Sequence, residues 1–128
     1  MKDFRKLKVW GKAHEFVLFL YRETQAFPSS EQFGLTSQLR RAAVSIPSNI
    51  AEGCGRNSDP ELRRFCEIAM GSASEVEYQL LLCKDIGFLT PEKHTSLHAS
   101  LLDCKRMLNT FIQTLKNSTT PAPKKANR

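Results

Sequence analysis

The chain carries the stretch QLRRAAVSIPSNIAEG at residues 38–53, and its apolar residues recur at helical intervals. They form one narrow stripe, which predicts an amphipathic helix over residues 31–53 with one buried face. Pro47 lies inside this predicted helix, where it removes one backbone hydrogen bond and is expected to bend the helix. The apolar stripe consists of Leu35, Leu39, Ala43, Ile46 and Ile50.

The opposite face of the same helix is polar and falls within about 60° of arc, at 100° per residue. The sequence leaves three interpretations of this face open. It is an ordinary solvated face, a hydrogen-bonded seam of packing or subunit contact around the bend, or a nucleic-acid or ligand site. The residues that belong to the seam are Arg41, Ser45, Pro47, Ser48, Asn49 and Glu52.

Three more segments show helical spacing of apolar residues, over residues 7–24, 59–86 and 91–116. No segment alternates apolar and polar residues for long enough to predict a strand. Four amphipathic helices joined by short loops predict an all-α fold, an up-down-up-down antiparallel four-helix bundle over residues 1–117. Residues 118–128 are polar, basic and rich in proline, which predicts a disordered tail.

The first predicted helix has more apolar surface than a bundle helix needs to bury. Residues 16–21 are all large and apolar or aromatic, so they surround the helix almost completely. Because exposed apolar patches usually mark interfaces, we expect Phe16 and Phe19 to contribute to a contact between copies of the chain. The alternative is a wide core face, with Phe19 partly covered by the next helix.

The net charge of +6 is distributed unevenly along the chain. Residues 1–12 carry +4 and residues 124–128 carry +3, whereas residues 13–123 carry −1. Lys and Arg neutralise phosphates without sequence selectivity, so the basic ends predict weak nucleic-acid contact. For the arginine pairs within the helices, the alternative is a solvated surface with intrahelical ion pairs. The candidate nucleic-acid contacts are Arg5, Lys6, Lys8, Arg40, Arg41, Arg63 and Arg64.

The sequence contains no complete motif for catalysis, metal binding or cofactor binding. His94 and His98 are four residues apart on one helix, a spacing that can chelate a metal, but the other helices lack matching Glu-x-x-His pairs. The cysteine spacings fit no zinc site and instead predict reduced, buried thiols. We therefore expect no catalytic residues, no metal and no cofactor. The four cysteines are Cys54, Cys66, Cys83 and Cys104.

The sequence also limits the cellular location. No apolar run approaches the 18 or more residues of a transmembrane helix. The longest run, residues 16–21, is too short for the core of a signal peptide. These observations predict a cytoplasmic protein without a membrane partner.

Residues 38–53 resemble the hallmark of the four-helix-bundle proteins encoded in intervening sequences of bacterial 23S ribosomal RNA genes. The resemblance extends to LxVWxxA at residues 7–13, FPxxExFGL at 27–35 and IAxGSxxE at 68–75. It implies a ring-like homopentamer. The accessory protein of diversity-generating retroelements is similar; it is a basic pentamer that binds nucleic acid and works with a reverse transcriptase. The family has no accepted catalytic residues to transfer.

Together, the residues and the resemblance favour a non-enzymatic, oligomeric scaffold that contacts RNA weakly or associates with a nucleic-acid-processing protein. The alternative is a protein–protein adaptor without a nucleic-acid role. A third hypothesis, a metal-dependent enzyme, depends only on His94 and His98.

Overall fold

A computed structural model describes residues 2–119, and within this range the chain forms helices and no strand. Short 3-10 helices precede the first and second α-helices, at Phe4–Lys6 and Ser29–Glu31. The α-helices are α1 (Lys8–Thr24), α2 (Leu35–Cys54), α3 (Asp59–Asp85) and α4 (Pro91–Thr119).

The four helices form an antiparallel bundle in which α1 and α3 lie diagonally opposite, as do α2 and α4. Contacts between the ends of the helices establish their directions. Arg40 near the start of α2 reaches Thr24 at the end of α1, and Lys93 at the start of α4 pairs with Glu23. The predicted all-α, up-down-up-down four-helix bundle is therefore confirmed.

The core is built from one buried stripe on each helix. On α2, the predicted apolar residues from Leu39 to Ile50 are completely buried. On α4, Leu97, Leu101 and Leu108 are likewise inaccessible to solvent. Burying each such side chain stabilises the fold by about 1.5–3 kcal/mol, so the alternating spacing of three and four residues determines how the helices face one another.

The second helix begins later than the sequence predicts, at Leu35 rather than at residue 31. Residues Ser29–Glu31 form a separate 3-10 turn, and Gly34 has a non-helical backbone conformation. The Glu31 Oε1 accepts a hydrogen bond of 3.0 Å from the backbone N–H of Leu35. This side chain thus caps α2 instead of belonging to it.

The fourth helix extends beyond its predicted end at residue 116 and reaches Thr119. The tail predicted from residue 118 therefore starts inside α4. Residues 120–128, which include the basic cluster at the end of the chain, lie outside the described residues.

Close packing of α2 against α3 depends on Gly53. A Cβ atom added to Gly53 would lie 2.9 Å from both the Leu62 Cδ1 and the Phe65 Cβ, and 3.3 Å from the Leu62 Cα. Any larger side chain at this position would force the two helices apart. The conspicuous glycine at the end of the 38–53 stretch is thus explained by a helix crossing.

Candidate functional site

The polar face of α2 contributes to a hydrogen-bonded seam with α3. The Ser45 Oγ lies 2.7 Å from the Ser72 Oγ. The Asn49 Nδ2 donates to the Ser45 carbonyl oxygen at 2.8 Å and to its Oγ at 2.9 Å. Pro47, between them, is buried inside α2. Ser45, Pro47 and Asn49 therefore take part in packing within the chain.

The other residues of this polar face are exposed. Glu52 pairs with Arg56 one turn later, at 3.1 Å. Ser48 is open to solvent, and Arg41 has no ion-pair or hydrogen-bond partner among the described residues. The structure thus divides the predicted seam into a packed half towards α3 and an accessible half that retains an unpaired cation.

The apolar surface of α1 differs from the prediction. Phe16 is completely buried in the core, so its expected role in an exposed contact is wrong. Its side chain lies on the same buried stripe as Ala13 and Leu20. The sequence does not reveal this stripe, because all six residues from 16 to 21 are apolar or aromatic. Phe19 is half-buried, and the Arg22 guanidinium lies 5.8 Å from its ring centroid. The exposed residues of the run are Leu18 and Tyr21, with 47% and 38% of their surfaces accessible.

A second exposed apolar surface, on α3, was missed at the sequence level. Ile68, Tyr78 and Leu81 have 43%, 62% and 42% of their surfaces accessible. They lie outside the stripe of α3 that faces the core. Their positions in the helical period are the sequence signal that could have identified them as exposed. The exposed groups thus lie on diagonally opposite helices. Tyr78 and Leu81, three residues apart, are neighbours on the helix surface, whereas Ile68 points in another direction. We name Leu18 and Phe19 the α1 patch, and Tyr78 and Leu81 the α3 patch.

The predicted basic residues do not form one surface. Arg64 pairs with Glu61 at 3.4 Å and covers the Phe65 ring, with its Cζ 4.7 Å from the centroid. Arg63 is half-buried, and its Nε has no hydrogen-bond partner. Arg5 pairs with Asp3 at 3.1 Å. These three arginines are therefore already engaged in local packing or pairing.

Lys6 and Lys8, by contrast, are exposed at the beginning of α1. Neither has a carboxylate partner among residues 2–119. The segment that carries them is anchored, because the backbone N–H of Lys2 donates to the Cys54 carbonyl oxygen at 2.8 Å. Phe4 and Trp10 reinforce this anchor, with ring centroids 4.8 Å apart. The N-terminal cations are thus held at a defined place on the bundle.

A depression of about 490 Å³ lies between α1 and α2, and the adjacent residues Arg40 and Arg41 line it. The Arg40 Nε donates to the Thr24 Oγ1 at 2.9 Å, and its Nη2 donates to the Tyr21 carbonyl oxygen at 3.2 Å. The Arg40 guanidinium also lies 4.4 Å from the centroid of the Tyr21 ring. Arg41 lines the same depression, and no carboxylate does. We name it the α1–α2 depression.

An apolar groove of about 630 Å³ runs between α1 and α4. Leu7, Met107 and Phe111 provide its apolar surface. Lys8 and Lys12 lie along one side. On the other side, Arg106 pairs with Asp103 at 3.2 Å. This α1–α4 groove combines an apolar floor with an excess of positive charge.

The two histidines of α4 belong to a charged network rather than to a metal site. The His98 Nε2 lies 2.9 Å from the Glu77 Oε2, and the Lys105 Nζ lies 2.8 Å from the Glu77 Oε1. The hydrogen bond from His98, followed by that from Lys105, lowers the pKa of Glu77. His94 stacks on His98, and burial lowers the pKa of His94. His98 is half-buried against α3.

Among residues 2–119, no three His, Cys, Asp or Glu side chains are grouped so as to hold a metal ion. The four cysteines are buried and free, as the sequence predicts. Burial raises the pKa of Cys66 to about 12 and the pKa of Cys104 to about 11. A thiol in this state is a poor nucleophile, since the thiolate is the reactive form.

With this arrangement in view, residues 5–110 match the family described as 23S rRNA-intervening sequence protein. The chain belongs to this family. The match covers all of α1, α2 and α3 and most of α4, so the predicted resemblance is confirmed.

A solved structure supports the assignment to the 23S rRNA-intervening sequence family. It is a crystal structure of a protein with unknown function from the S23 ribosomal protein family of Bacteroides thetaiotaomicron VPI-5482. The two chains share 25% sequence identity and superpose with a TM-score of 0.73, over 81% of this chain and 97% of that chain. No curated protein matches the sequence significantly. Within residues 2–119, no helix of this family member has the length and apolar content that a membrane crossing requires.

Proposed function

We propose that this family member is a non-catalytic scaffold that assembles with copies of itself and contacts RNA weakly. The observation that carries the proposal is the exposure of apolar side chains on two separate faces, the α1 patch and the α3 patch. A symmetric contact between two copies would pair identical patches, for example the α1 patch of each copy. Because α1 and α3 lie diagonally opposite, such a contact would leave the other patch of each copy exposed. A head-to-tail contact, with the α1 patch of one copy on the α3 patch of the next, covers both.

Head-to-tail contacts close into rings when the rotation between neighbours permits it. A ring is also what the resemblance to the intervening-sequence proteins implies, with five copies. Light scattering at micromolar concentration is therefore expected to give five times the chain mass of 14.5 kDa. A mass of 14.5 kDa would contradict self-assembly.

The geometry of the contact can be tested with one variant in each patch. Leu18→Glu removes the α1 patch, and Tyr78→Glu removes the α3 patch; each is expected to give monomers. A mixture of the two is expected to form dimers, because each variant retains the patch that the other has lost. Dimers in either variant alone would indicate pairing of like faces and contradict the head-to-tail contact. The matched control is Phe33→Glu, an exposed aromatic residue outside both patches, which is expected to keep the wild-type mass.

The RNA contact is supported by the two unpaired cations at the anchored N-terminus, Lys6 and Lys8. Their phosphate contacts would release counterions, so affinity is expected to fall as salt increases. The double variant Lys6→Gln/Lys8→Gln is expected to weaken binding of single-stranded RNA and to flatten its salt dependence. Binding that is unchanged in this variant would contradict a role for the N-terminus.

A second candidate function, a protein–protein adaptor, is favoured by the α1–α4 groove. Its apolar floor and flanking cations complement an acidic, amphipathic segment of a partner. The expected result is a pull-down that survives nuclease treatment and is lost in Met107→Glu. A pull-down that nuclease abolishes would favour RNA as the bridging molecule.

A further inference from the structure

The α1–α2 depression has the composition of an anion site. Two guanidinium groups, Arg40 and Arg41, border it, and its other polar groups are hydroxyls and one amide. Because no carboxylate lines it, its local charge is positive although residues 13–123 carry −1 overall. Neither arginine has an ion-pair partner among the described residues.

The two arginines differ in how they are held. Arg40 is fixed by its hydrogen bonds to the Thr24 Oγ1 and the Tyr21 carbonyl oxygen, and by the Tyr21 ring beneath it. Its position is thus determined before any ligand binds, which reduces the entropy cost of a contact. The Arg41 side chain is exposed and has no hydrogen-bond or ion-pair partner among the described residues. A fixed guanidinium beside an unpartnered one suits a phosphate, whose oxygens accept hydrogen bonds from several directions.

Thr36 provides an independent observation that points to a ligand. It lines the depression, only 7% of its surface is exposed, and its Oγ1 has no hydrogen-bond partner. A buried hydroxyl without a hydrogen-bond partner reduces the stability of the fold by about 1–3 kcal/mol. A native protein that retains such a group therefore calls for an explanation, such as a bound ligand. The Oγ1 is itself closed off from solvent, so an anion seated in the depression would give this hydroxyl an acceptor once the Thr36 side chain rotates towards it.

The start of α2 adds backbone donors at the same place. Thr36 and Ser37 lie in its first turn, where N–H groups have no partner within the helix. The Glu31 carboxylate caps only the N–H of Leu35. The positive end of the helix dipole lies here too, and the Glu31 carboxylate, 3.0 Å from the Leu35 N–H, offsets part of it. Tyr21 lies beside these donors with 38% of its surface exposed, and the Arg40 guanidinium covers one face of its ring.

We propose that the α1–α2 depression binds a phosphate of single-stranded RNA, with Arg40 and Arg41 as its cations and Thr36 as a buried donor. This inference rests on the proposed RNA contact and adds to it a defined site, separate from Lys6 and Lys8. About 490 Å³ accommodates roughly one nucleotide, since small-molecule sites span about 300–1,000 Å³. The site therefore holds one nucleotide, and the N-terminal cations, which lie at the opposite end of α1, would contact a separate part of the same strand.

The test measures fluorescence anisotropy of a labelled single-stranded RNA of about twelve nucleotides against the full chain, over a range of salt concentrations. Arg41→Gln is expected to weaken binding several-fold and to reduce the salt slope by about one. The matched control is Arg64→Gln, which removes the same charge from a residue paired with Glu61. Its affinity and salt slope are expected to remain close to wild type. Equal losses in both variants would show that only the total charge matters and would overturn the site.

Thr36→Val tests whether the Thr36 hydroxyl contacts the bound RNA or affects only the stability of the free protein. Valine has nearly the same shape and removes the unpartnered oxygen, so the melting temperature of the free protein is expected to rise. Binding of RNA is expected to weaken at the same time. A higher melting temperature with unchanged RNA affinity would overturn the assignment of Thr36.

The outcomes distinguish this inference from the proposed function. If Lys6→Gln/Lys8→Gln weakens RNA binding and Arg41→Gln does not, the RNA contact stands and the depression is not its site. If the wild type binds no RNA, both fail. If inorganic phosphate then shifts the amide signals of Thr36 and Ser37 in NMR spectra, the depression belongs to a small phosphorylated compound. Displacement of bound RNA by a phosphoserine peptide, but not by equimolar inorganic phosphate, would assign the depression to a protein partner.

Discussion

The Ser45 Oγ and the Ser72 Oγ lie 2.7 Å apart across the boundary between α2 and α3. A contact of this length requires small side chains on both helices at the crossing. Ala69 and Ala73, on either side of Ser72, are completely buried. Ala69, Ser72 and Ala73 therefore allow a close approach of helices within the chain.

The hydrogen bond between Ser45 and Ser72 is expected to contribute modestly to the free energy of unfolding, and removing either serine loses the same bond. Ser72→Ala should lower the free energy of unfolding by about 0.5–1.5 kcal/mol, the usual net value of a hydrogen bond. Ser45→Ala should cost more, because it also removes one of the two acceptors of the Asn49 amide. The double variant should cost less than the sum of the two, as measured by urea unfolding. Ser96→Ala, an exposed serine on α4, is the control; strictly additive effects of the pair would contradict the contact.

Gly53→Ala is expected to destabilise the fold by about 1–3 kcal/mol, the usual cost of overpacking. The added Cβ would meet Leu62 and Phe65 at 2.9 Å, well inside normal contact distance. The matched control is Gly71→Ala in α3, where a Cβ meets nothing within 4 Å. There the substitution should stabilise the protein by about 0.5–1 kcal/mol through helix propensity. Thermal unfolding of both variants gives the comparison; similar effects would contradict the close crossing.

The fold was predictable from the sequence because each helix carries a periodic apolar stripe. The intervals between Leu39, Ala43, Ile46 and Ile50 specify one buried face. Where several adjacent positions are apolar, periodicity no longer identifies the buried side. Residues 16–21 are such a case, and for this reason Phe16 was assigned to the wrong environment. The start of α2 was missed because the Glu31 carboxylate can cap a helix or belong to it, and only its hydrogen bond to Leu35 decides.

The candidate surfaces were only partly predictable, because they depend on residues far apart in sequence. Arg40 and Arg41 were recognised as cations, but Tyr21 and the unpartnered Thr36 hydroxyl join them only when α1 packs against α2. The partner of His98 is likewise on another helix, at Glu77. A helical period gives the direction of each side chain. It does not determine which side chain of the next helix lies opposite.

The four thiols are expected to be inert in the folded protein. Burial raises the pKa of Cys66 to about 12, and raises the pKa values of Cys83 and Cys104 to about 11. The pKa of Cys54 is also raised, chiefly by burial. An aromatic disulfide reagent at neutral pH should react slowly with the native protein and promptly with all four thiols in denaturant. Rapid reaction of one thiol in the native state would show that its surroundings open locally.

Glu77 is expected to make the stability of the bundle depend on pH in the acid range. Hydrogen bonds from His98 and Lys105 lower the pKa of Glu77 below its ordinary value of 4.5. A carboxyl with a depressed folded-state pKa stabilises the fold fully above its unfolded value, and this contribution is lost as the pH falls through the folded-state pKa. The variant Glu77→Gln cannot ionise. Wild type should therefore be more stable than this variant at about pH 5.5, and the difference should be smaller at about pH 3.

Urea unfolding of both proteins at the two pH values measures this difference. Glu67→Gln is the matched control, since Glu67 is an exposed glutamate of α3 with no ion pair among the described residues. Its stability relative to wild type should change little with pH over the same interval. If the gap between wild type and Glu77→Gln were the same at both pH values, the charge of Glu77 would not be what holds α3 against α4. The network with His98 and Lys105 would then contribute through packing alone.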